Sequence, residues 1–112
     1  MRFRVKKQYN KTYFLIVLGD IENSHYVRML ERLNKMGEVR KIMDNMYVLS
    51  IAQIEEVKLA TSMVRNKITG DDYGYCFVIR ITNELSCAWS LTKLNSDYLI
   101  DIIKSLEDGK KE

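Results

Sequence analysis

The segment from Lys11 to Ile21, KTYFLIVLGDI, constrains the fold of this chain more than any other stretch. Its residues from Tyr13 to Leu18 are all apolar, on both side-chain parities of an extended chain. Because a strand points alternate side chains to opposite faces of a sheet, this pattern predicts a strand with both faces covered. We therefore predict a central strand over residues 12–18, in a sheet backed by helices. Asp20 follows at the strand end where sites on open α/β sheets tend to lie.

A helix and a hairpin are predicted next along the chain. Apolar residues at helical spacing indicate a helix over 24–36, and Gly37 is expected to end it because glycine takes the left-handed conformation without steric cost. A hairpin is expected over 38–51, with a tight turn at Asp44 and Asn45, since both residue types tolerate positive φ.

A second helix and a further strand complete the main pattern. Ser50 and Gln53 have capping-box spacing, which predicts a helix over 54–68. Gly70 is expected to end that helix, and YCFVIRI at 75–81 reads as a strand. The order strand, helix, strand, strand, helix, strand predicts an α+β fold, a ferredoxin-like βαββαβ sandwich with two helices on one face of an antiparallel sheet.

The remaining residues predict an extension of the same domain. The segment SCAWSL, residues 86–91, is expected to be a short strand, and apolar spacing predicts a third helix over 96–106, closed by Gly109. With 112 residues the chain is long enough for one core. We therefore expect a basic arm at 1–10 and a single domain at 11–109, with its core at 12–82 and the extension at 83–109.

Basic residues are concentrated at the N-terminus. Residues 1–11 hold five of them and no acid, namely Arg2, Arg4, Lys6, Lys7 and Lys11. The rest of the chain has 13 basic and 15 acidic residues, so any contact with a polyanion is expected to be local. A solvated arm that keeps the protein soluble is the alternative.

A second basic group is predicted on the first helix and the hairpin. Arg28, Arg32 and Lys35 share a helix face, and with Arg40 and Lys41 they are candidates for binding nucleic-acid phosphates through charge and counterion release. A solvated helix face is the alternative reading. Four aromatic residues offer either base-stacking surface or core packing: Tyr73, Tyr75, Trp89 and Tyr98.

Asp20 is the main candidate for catalysis. A carboxylate just past a central strand can hold Mg²⁺ or polarise a water near a phosphodiester, or it can simply cap the following turn. His25, the only histidine, would lie near it as a general acid or base, or as a surface residue. The sequence contains no GxGxxG, P-loop or GxSxG motif.

The cysteines and the apolar run near the N-terminus indicate the cellular compartment of the protein. Cys76 and Cys87 are too few to suggest a disulfide framework, so free thiols in a reducing compartment are expected. The apolar run at 13–18 is too short to span a bilayer and is not followed by a small-residue cleavage pattern. We expect a cytoplasmic protein that does not contact a membrane.

Several short motifs resemble a known family over residues 12–82. The chain resembles the small CRISPR-associated adaptation protein and the related virulence-associated protein D toxins in a succession of short features. These are YFLIVLGDI, a helix ending in MG, a hairpin, a helix and VIRI. SCAWSL and the last helix resemble compact relatives of that group. Asp20 matches the aspartate that follows the family's first strand, and Gly37 matches the glycine that ends its first helix. The family usually has a tyrosine before the aspartate, where this chain has Gly19.

The resemblance implies a ferredoxin-like homodimer associated with RNA or DNA. If catalytic, the protein would be a metal-dependent endonuclease with Mg²⁺ or Mn²⁺ on Asp20, and it would otherwise be an inactive relative. One alternative is a non-catalytic homodimeric module that binds a protein partner or regulates one, which predicts an exposed apolar patch. Another is a small-ligand sensor, which predicts an enclosed pocket.

Overall fold

The computed structural model describes residues 10–19, 24–53, 60–70 and 74–111. Four strands and three helices follow one another along these residues. They are β1 (Asn10–Leu18), α1 (Ser24–Met36), β2 (Glu38–Met43), β3 (Met46–Gln53), α2 (Thr61–Thr69), β4 (Cys76–Ile81) and α3 (Lys93–Lys111).

The four strands form one antiparallel sheet in the order β2-β3-β1-β4. β1 is hydrogen-bonded on both sides, and its Leu15 lies opposite Val48 of β3 and Ile79 of β4. The prediction of a central first strand is therefore confirmed, and so is the α+β class.

Helices α1 and α2 cover one face of the sheet. The residues of β1 that point to this face, Phe14, Ile16 and Leu18, are fully buried. Buried side chains of α1, α2 and β3 complete this core: Met29, Leu33, Tyr47, Leu49, Val64 and Ile68. The amphipathic spacing that predicted α1 thus corresponds to real burial against the sheet.

Helix α3 covers the opposite face. Tyr13 and Leu15, the other parity of β1, pack beside buried Val48, Ile81 and Ile102. The apolar residues on both parities of β1 are therefore explained by helices on two different faces. The extension predicted at 83–109 supplies the second of these layers.

The first helix and the hairpin lie where the sequence predicts them. Helix α1 has the predicted bounds, and Asn45 in the hairpin turn has a φ of 54°. Gly37 ends α1 for a different reason from the one expected, since it is not among the glycines with positive φ. A Cβ on Gly37 would collide with the carbonyl oxygen of Ser50, so the close approach of β3 requires glycine here.

The capping box predicted at Ser50 and Gln53 is wrong. Both residues belong to β3, which continues to Gln53 because Gln53 pairs with Asn10 of β1. Helix α2 begins at Thr61, after an extended residue 60, and the predicted helical residues 54–59 lie outside the described residues. Gly70 ends α2 with a φ of 58°, as predicted.

Two predictions for the extension are also wrong. SCAWSL is not a strand, because residues 82–92 form neither helix nor strand. Helix α3 is longer than expected, beginning at Lys93 and continuing through Gly109 to Lys111. The apolar residues of SCAWSL serve instead to cover the sheet, as described below.

Candidate functional site

Five of the residues predicted to bind phosphate or a metal ion lie outside the described residues. They are four cations of the arm, Arg2, Arg4, Lys6 and Lys7, together with Asp20. Their roles in binding phosphate or metal stay predictions.

Arg32 is bound to the end of α2. Its Nη1 donates hydrogen bonds to the carbonyl oxygens of Ile68 at 3.1 Å and Thr69 at 2.8 Å. These carbonyls belong to the last turn of α2, where no further helical N–H is available and where the helix dipole favours a cation. Arg32 therefore fastens α1 to α2, which gives this residue a structural role beside the predicted phosphate contact.

Arg40 joins β2 to α3. Its Nε donates to Oδ1 of Asn95 at 2.9 Å, and its guanidinium carbon lies 4.5 Å from the centre of the Tyr98 ring. Asn95 in turn donates from Nδ2 to the carbonyl oxygen of Ile42 at 2.9 Å. The three side chains clamp the first turns of α3 onto the edge strand, so Arg40 also has a structural role.

The other predicted cations lie at the surface of the α1–β2 region. Lys35 is exposed on α1, and Arg28 on the same helix is half-buried. Lys41 is exposed and its Nζ lies 3.5 Å from a carboxylate oxygen of Asp44 in the hairpin turn.

The charge of the helices differs between the two faces of the sheet. Within the described lengths of α1 and α2 there are five basic residues and one acid, Glu31. Helix α3 has four lysines and four acids. The two basic residues of α2, Arg65 and Lys67, are exposed and were missed as candidates. The absence of any acid in TSMVRNKIT was the signal that could have identified them.

The glycine before Asp20 has a steric explanation. The N–H of Gly19 donates to the carbonyl oxygen of Tyr75 at 2.7 Å, and a Cβ on Gly19 would lie 2.9 Å from Cβ of Tyr75. The chain leading into β4 thus passes too close for a larger residue. His25 lies beside the same stretch of chain that leads into β4. Its Cβ is 3.3 Å from the position that a Cβ on Gly74 would take.

The described residues do not contain a metal-binding group. No three His, Cys, Asp or Glu side chains among residues 10–19, 24–53, 60–70 and 74–111 come together in a way that could hold an ion. Since Asp20 lies outside these ranges, the predicted Mg²⁺ or Mn²⁺ site has no described ligand.

The aromatic residues predicted as a stacking surface occupy separate places. Tyr98 lies beneath Arg40, whereas Tyr75 is 69% exposed beside Gly19. Trp89 is half-buried, and its Nε1 donates to Oγ of Ser96 at 3.0 Å. Tyr73 lies outside the described residues. The described members therefore do not form one platform.

An apolar cavity of about 440 Å³ lies between the sheet, α3 and the segment 85–91. The sequence did not reveal it, because its lining comes from all these parts of the chain. The lining residues are Leu15, Ile42, Met43, Met46, Ile79, Ile81, Leu85, Ser86, Cys87, Ala88, Trp89, Ser90, Leu91, Leu99, Ile102 and Ile103. The residues of SCAWSL thus form one wall of this cavity.

Two titratable groups are perturbed on the α1/α2 face. Burial raises the pKa of Tyr47 above its ordinary value near 10, and a hydrogen bond between its hydroxyl and that of Tyr26 raises it further. Burial also raises the pKa of the Cys76 thiol, against the opposing effect of Arg65. Both groups are therefore kept neutral at neutral pH, and both cysteines are free.

Comparisons of the chain with protein-family models, with curated proteins and with solved structures found no match. In the part of the chain that the structure describes, no helix is both long enough and apolar enough to cross a membrane.

Proposed function

We propose that this protein binds RNA or DNA as a member of the ferredoxin-like group of CRISPR-associated adaptation proteins and toxins. The observation that carries the proposal is the unequal charge of the two helical layers. Helices α1 and α2 have five basic residues and one acid, whereas the charges of α3 balance. A one-sided positive layer attracts a phosphate backbone and releases its counterions.

The order of the elements supports the ferredoxin-like assignment. The chain runs β1-α1-β2-β3-α2-β4, and the sheet order is β2-β3-β1-β4. This is the order expected when two βαβ halves are interleaved in one antiparallel sheet. In this proposal α3 is an addition on the face that the two-helix sandwich leaves open.

The proposed interface centres on the end of α1 and the second half of α2. Arg32 of α1 contacts the last carbonyls of α2. Lys35 and Lys67 belong to the last turns of α1 and α2, respectively. Both lysines are exposed, and a phosphate backbone could therefore reach them without disturbing the core. The arm at 1–9 would add further contacts.

The experiment is a binding titration of labelled RNA and duplex DNA across a salt series. We compare the double variant Lys35→Gln/Lys67→Gln with Lys93→Gln/Lys104→Gln, which removes the same charge from exposed positions of α3. The first variant should weaken binding and reduce the slope of log affinity against log salt for duplex DNA by about 1.8. The second should leave the slope nearly unchanged.

Two results would overturn this proposal. One is the absence of salt-dependent binding at low salt by the intact chain. The other is an equal loss in both double variants, because that would reflect net charge and not a local interface. A chain lacking residues 1–9, which keeps β1 whole, measures the contribution of the arm.

Catalysis is a separate part of the proposal. If the protein is an enzyme, it hydrolyses phosphodiesters with Mg²⁺ or Mn²⁺ bound at Asp20, where a divalent cation would supply Lewis-acid activation of a water. Cleavage of bound RNA or DNA that is abolished by Asp20→Asn, with binding retained, would support this assignment. Binding without metal-dependent cleavage would leave an inactive relative.

We propose a homodimer, with a protein-interaction module as the alternative function. The supporting observation is β4, which pairs with β1 alone among the described strands, and where Phe77 is 60% exposed and the preceding Tyr75 is 69% exposed. Apolar side chains on an open sheet edge favour pairing with another chain. Light scattering on the intact chain, compared with Phe77→Lys, tests this: a monomer in both cases would contradict the dimer.

Its location is proposed to be the cytoplasm. The two free cysteines, of which Cys87 is exposed, are consistent with a reducing compartment.

A further inference from the structure

The cavity beneath α3 has the size of a ligand site. Its volume of about 440 Å³ lies within the range of small-molecule pockets and is roughly three times that of an engineered apolar cavity that binds benzene. A ligand with an apolar surface would remove both that surface and the apolar lining from water, which is favourable.

The lining restricts the chemistry of that molecule. None of the lining residues is charged, and the sheet and α3 contribute only aliphatic and methionine side chains. Hydrogen-bonding side chains occur only on the segment 85–91, as Ser86, Cys87, Trp89 and Ser90. Trp89 already donates its indole N–H to Ser96, which leaves the two serines and the thiol. A charged ligand would lose its hydration without gaining a partner.

We propose that this cavity binds an uncharged, largely hydrocarbon small molecule, with at most one or two hydrogen-bonding groups directed towards Ser86 and Ser90. Such a site is distinct from the basic α1/α2 layer, because it lies on the opposite face of the sheet. The cavity is bounded by the sheet, α3 and residues 85–91 of the same chain, and its volume matches that of a small molecule.

The chain has a natural reporter for this site. Trp89 is its only tryptophan, and it lies in the cavity wall. We would titrate the full chain with N-phenyl-1-naphthylamine, a neutral aromatic probe that accepts energy from tryptophan. The proposal predicts saturable binding of one probe per chain, with enhanced probe emission and quenched Trp89 emission.

A matched pair of variants on α3 locates the binding. Ile103 lines the cavity, whereas Ile100 on the same helix is 39% exposed and does not. Ile103→Trp fills part of the cavity and should weaken probe binding at least about tenfold, because the larger side chain takes space that the probe would occupy. Ile100→Trp should leave the affinity within about twofold, because Ile100 does not line the cavity. Because each variant adds a second tryptophan, the two are compared by exciting the probe directly.

Thiol reactivity gives a second measurement that needs no substitution. Cys87 is exposed in the cavity wall, whereas Cys76 is half-buried on the other face. Bound probe should therefore slow the alkylation of Cys87 by N-ethylmaleimide while leaving Cys76 unaffected, as mass spectrometry of the peptides would show. This readout remains valid if Ile103→Trp fails to fold.

Several outcomes would overturn the inference. They are the absence of saturable binding, equal binding by the two α3 variants when both are folded, and unchanged alkylation of Cys87 with the probe bound. Loss of probe binding at concentrations where the chain dimerises would also overturn it, because a second copy would then occupy this face.

Discussion

The two faces of the sheet are covered by helices in very different ways. On the α1/α2 face, Phe14, Ile16 and Leu18 of β1 are fully buried. On the α3 face, Tyr13 and Leu15 of the same strand are only partly buried, and a cavity of about 440 Å³ remains. An apolar pattern on both parities of a strand thus shows that both faces are covered, but not how closely.

The difference follows from the number of helices and from their attachment. α1 and α2 pack against each other and the sheet, and Arg32 of α1 closes the end of α2. Among the described helices, α3 is the one that packs on the other face, and it is reached through residues 82–92, which form neither helix nor strand. Side chains clamp its first turns to β2, with Asn95 bonded to both Arg40 and the backbone of Ile42. One helix cannot fill the width of a four-stranded sheet, so space remains beside it.

The sharpest test of this comparison is a leucine-to-alanine pair. Leu33 of α1 is fully buried, whereas Leu99 of α3 is half-buried and borders the cavity. We expect Leu33→Ala to lower the free energy of unfolding by about 3–4 kcal/mol and Leu99→Ala by about 1–2 kcal/mol. Urea unfolding of both variants measures the two losses. Equal losses would show that the two faces are packed alike.

A second substitution probes the connection that α1 makes with β2. Gly37→Ala places a Cβ against the Ser50 carbonyl, so the backbone must shift, and we expect a loss of about 2 kcal/mol. The control is Lys35→Ala, two residues earlier, where the side chain is exposed and the loss should be below about 0.5 kcal/mol. A stable Gly37→Ala protein would mean that glycine is not sterically required there.

The clamp on α3 predicts a more local effect. Arg40→Ala removes a hydrogen bond to Asn95 and a stacked contact with Tyr98, so we expect a loss of about 1–2 kcal/mol. Arg40→Ala should also shift Trp89 emission to the red. Trp89 bonds to Ser96 in the first turn of α3, the turn that Arg40 holds through Asn95. Arg40→Lys keeps the charge but not the planar group, and should recover less than half of the loss. Unchanged Trp89 emission in Arg40→Ala would contradict the clamp.

The smallest effect at neutral pH comes from the titration of Tyr47. The pKa of Tyr47 is raised in the folded state. Its contribution to the free energy of unfolding is therefore complete below its ordinary pKa near 10 and is lost as the pH rises above that value. Tyr47→Phe should therefore make the decline of stability between pH 10 and 12 shallower. Tyr26→Phe removes the hydrogen bond but not the burial, so part of the decline should remain. Chemical denaturation across this range gives both profiles.

The sequence predicted those parts of the fold whose signals are local. The extent of α1 and the turn at Asp44 and Asn45 were found because apolar spacing and tolerance of positive φ act within a few residues. The capping box at Ser50 and Gln53 failed because pairing with β1, distant in sequence, extended β3 through both residues. Long-range pairing of this kind cannot be read from a single segment.

The candidate site was less predictable for the same reason. SCAWSL looked like a strand because it is apolar, but its side chains line a cavity whose other walls come from the sheet and α3. Arg32 and Arg40 were identified from their charge, and their partners at the end of α2 and on α3 are set by tertiary packing. The positions of cations could be read from the sequence, and their partners could not.

Hydrogen exchange of the backbone amides measures directly how firmly α3 is held on its face of the sheet. If α3 is a loosely held cover on one face, its amides should exchange through openings of lower free energy than those of α1 and β1. Arg40→Ala should then accelerate exchange in α3 and leave α1 nearly unchanged. Equal protection of α1 and α3, or acceleration of both helices together in Arg40→Ala, would contradict the account, because the two faces would then unfold as one unit.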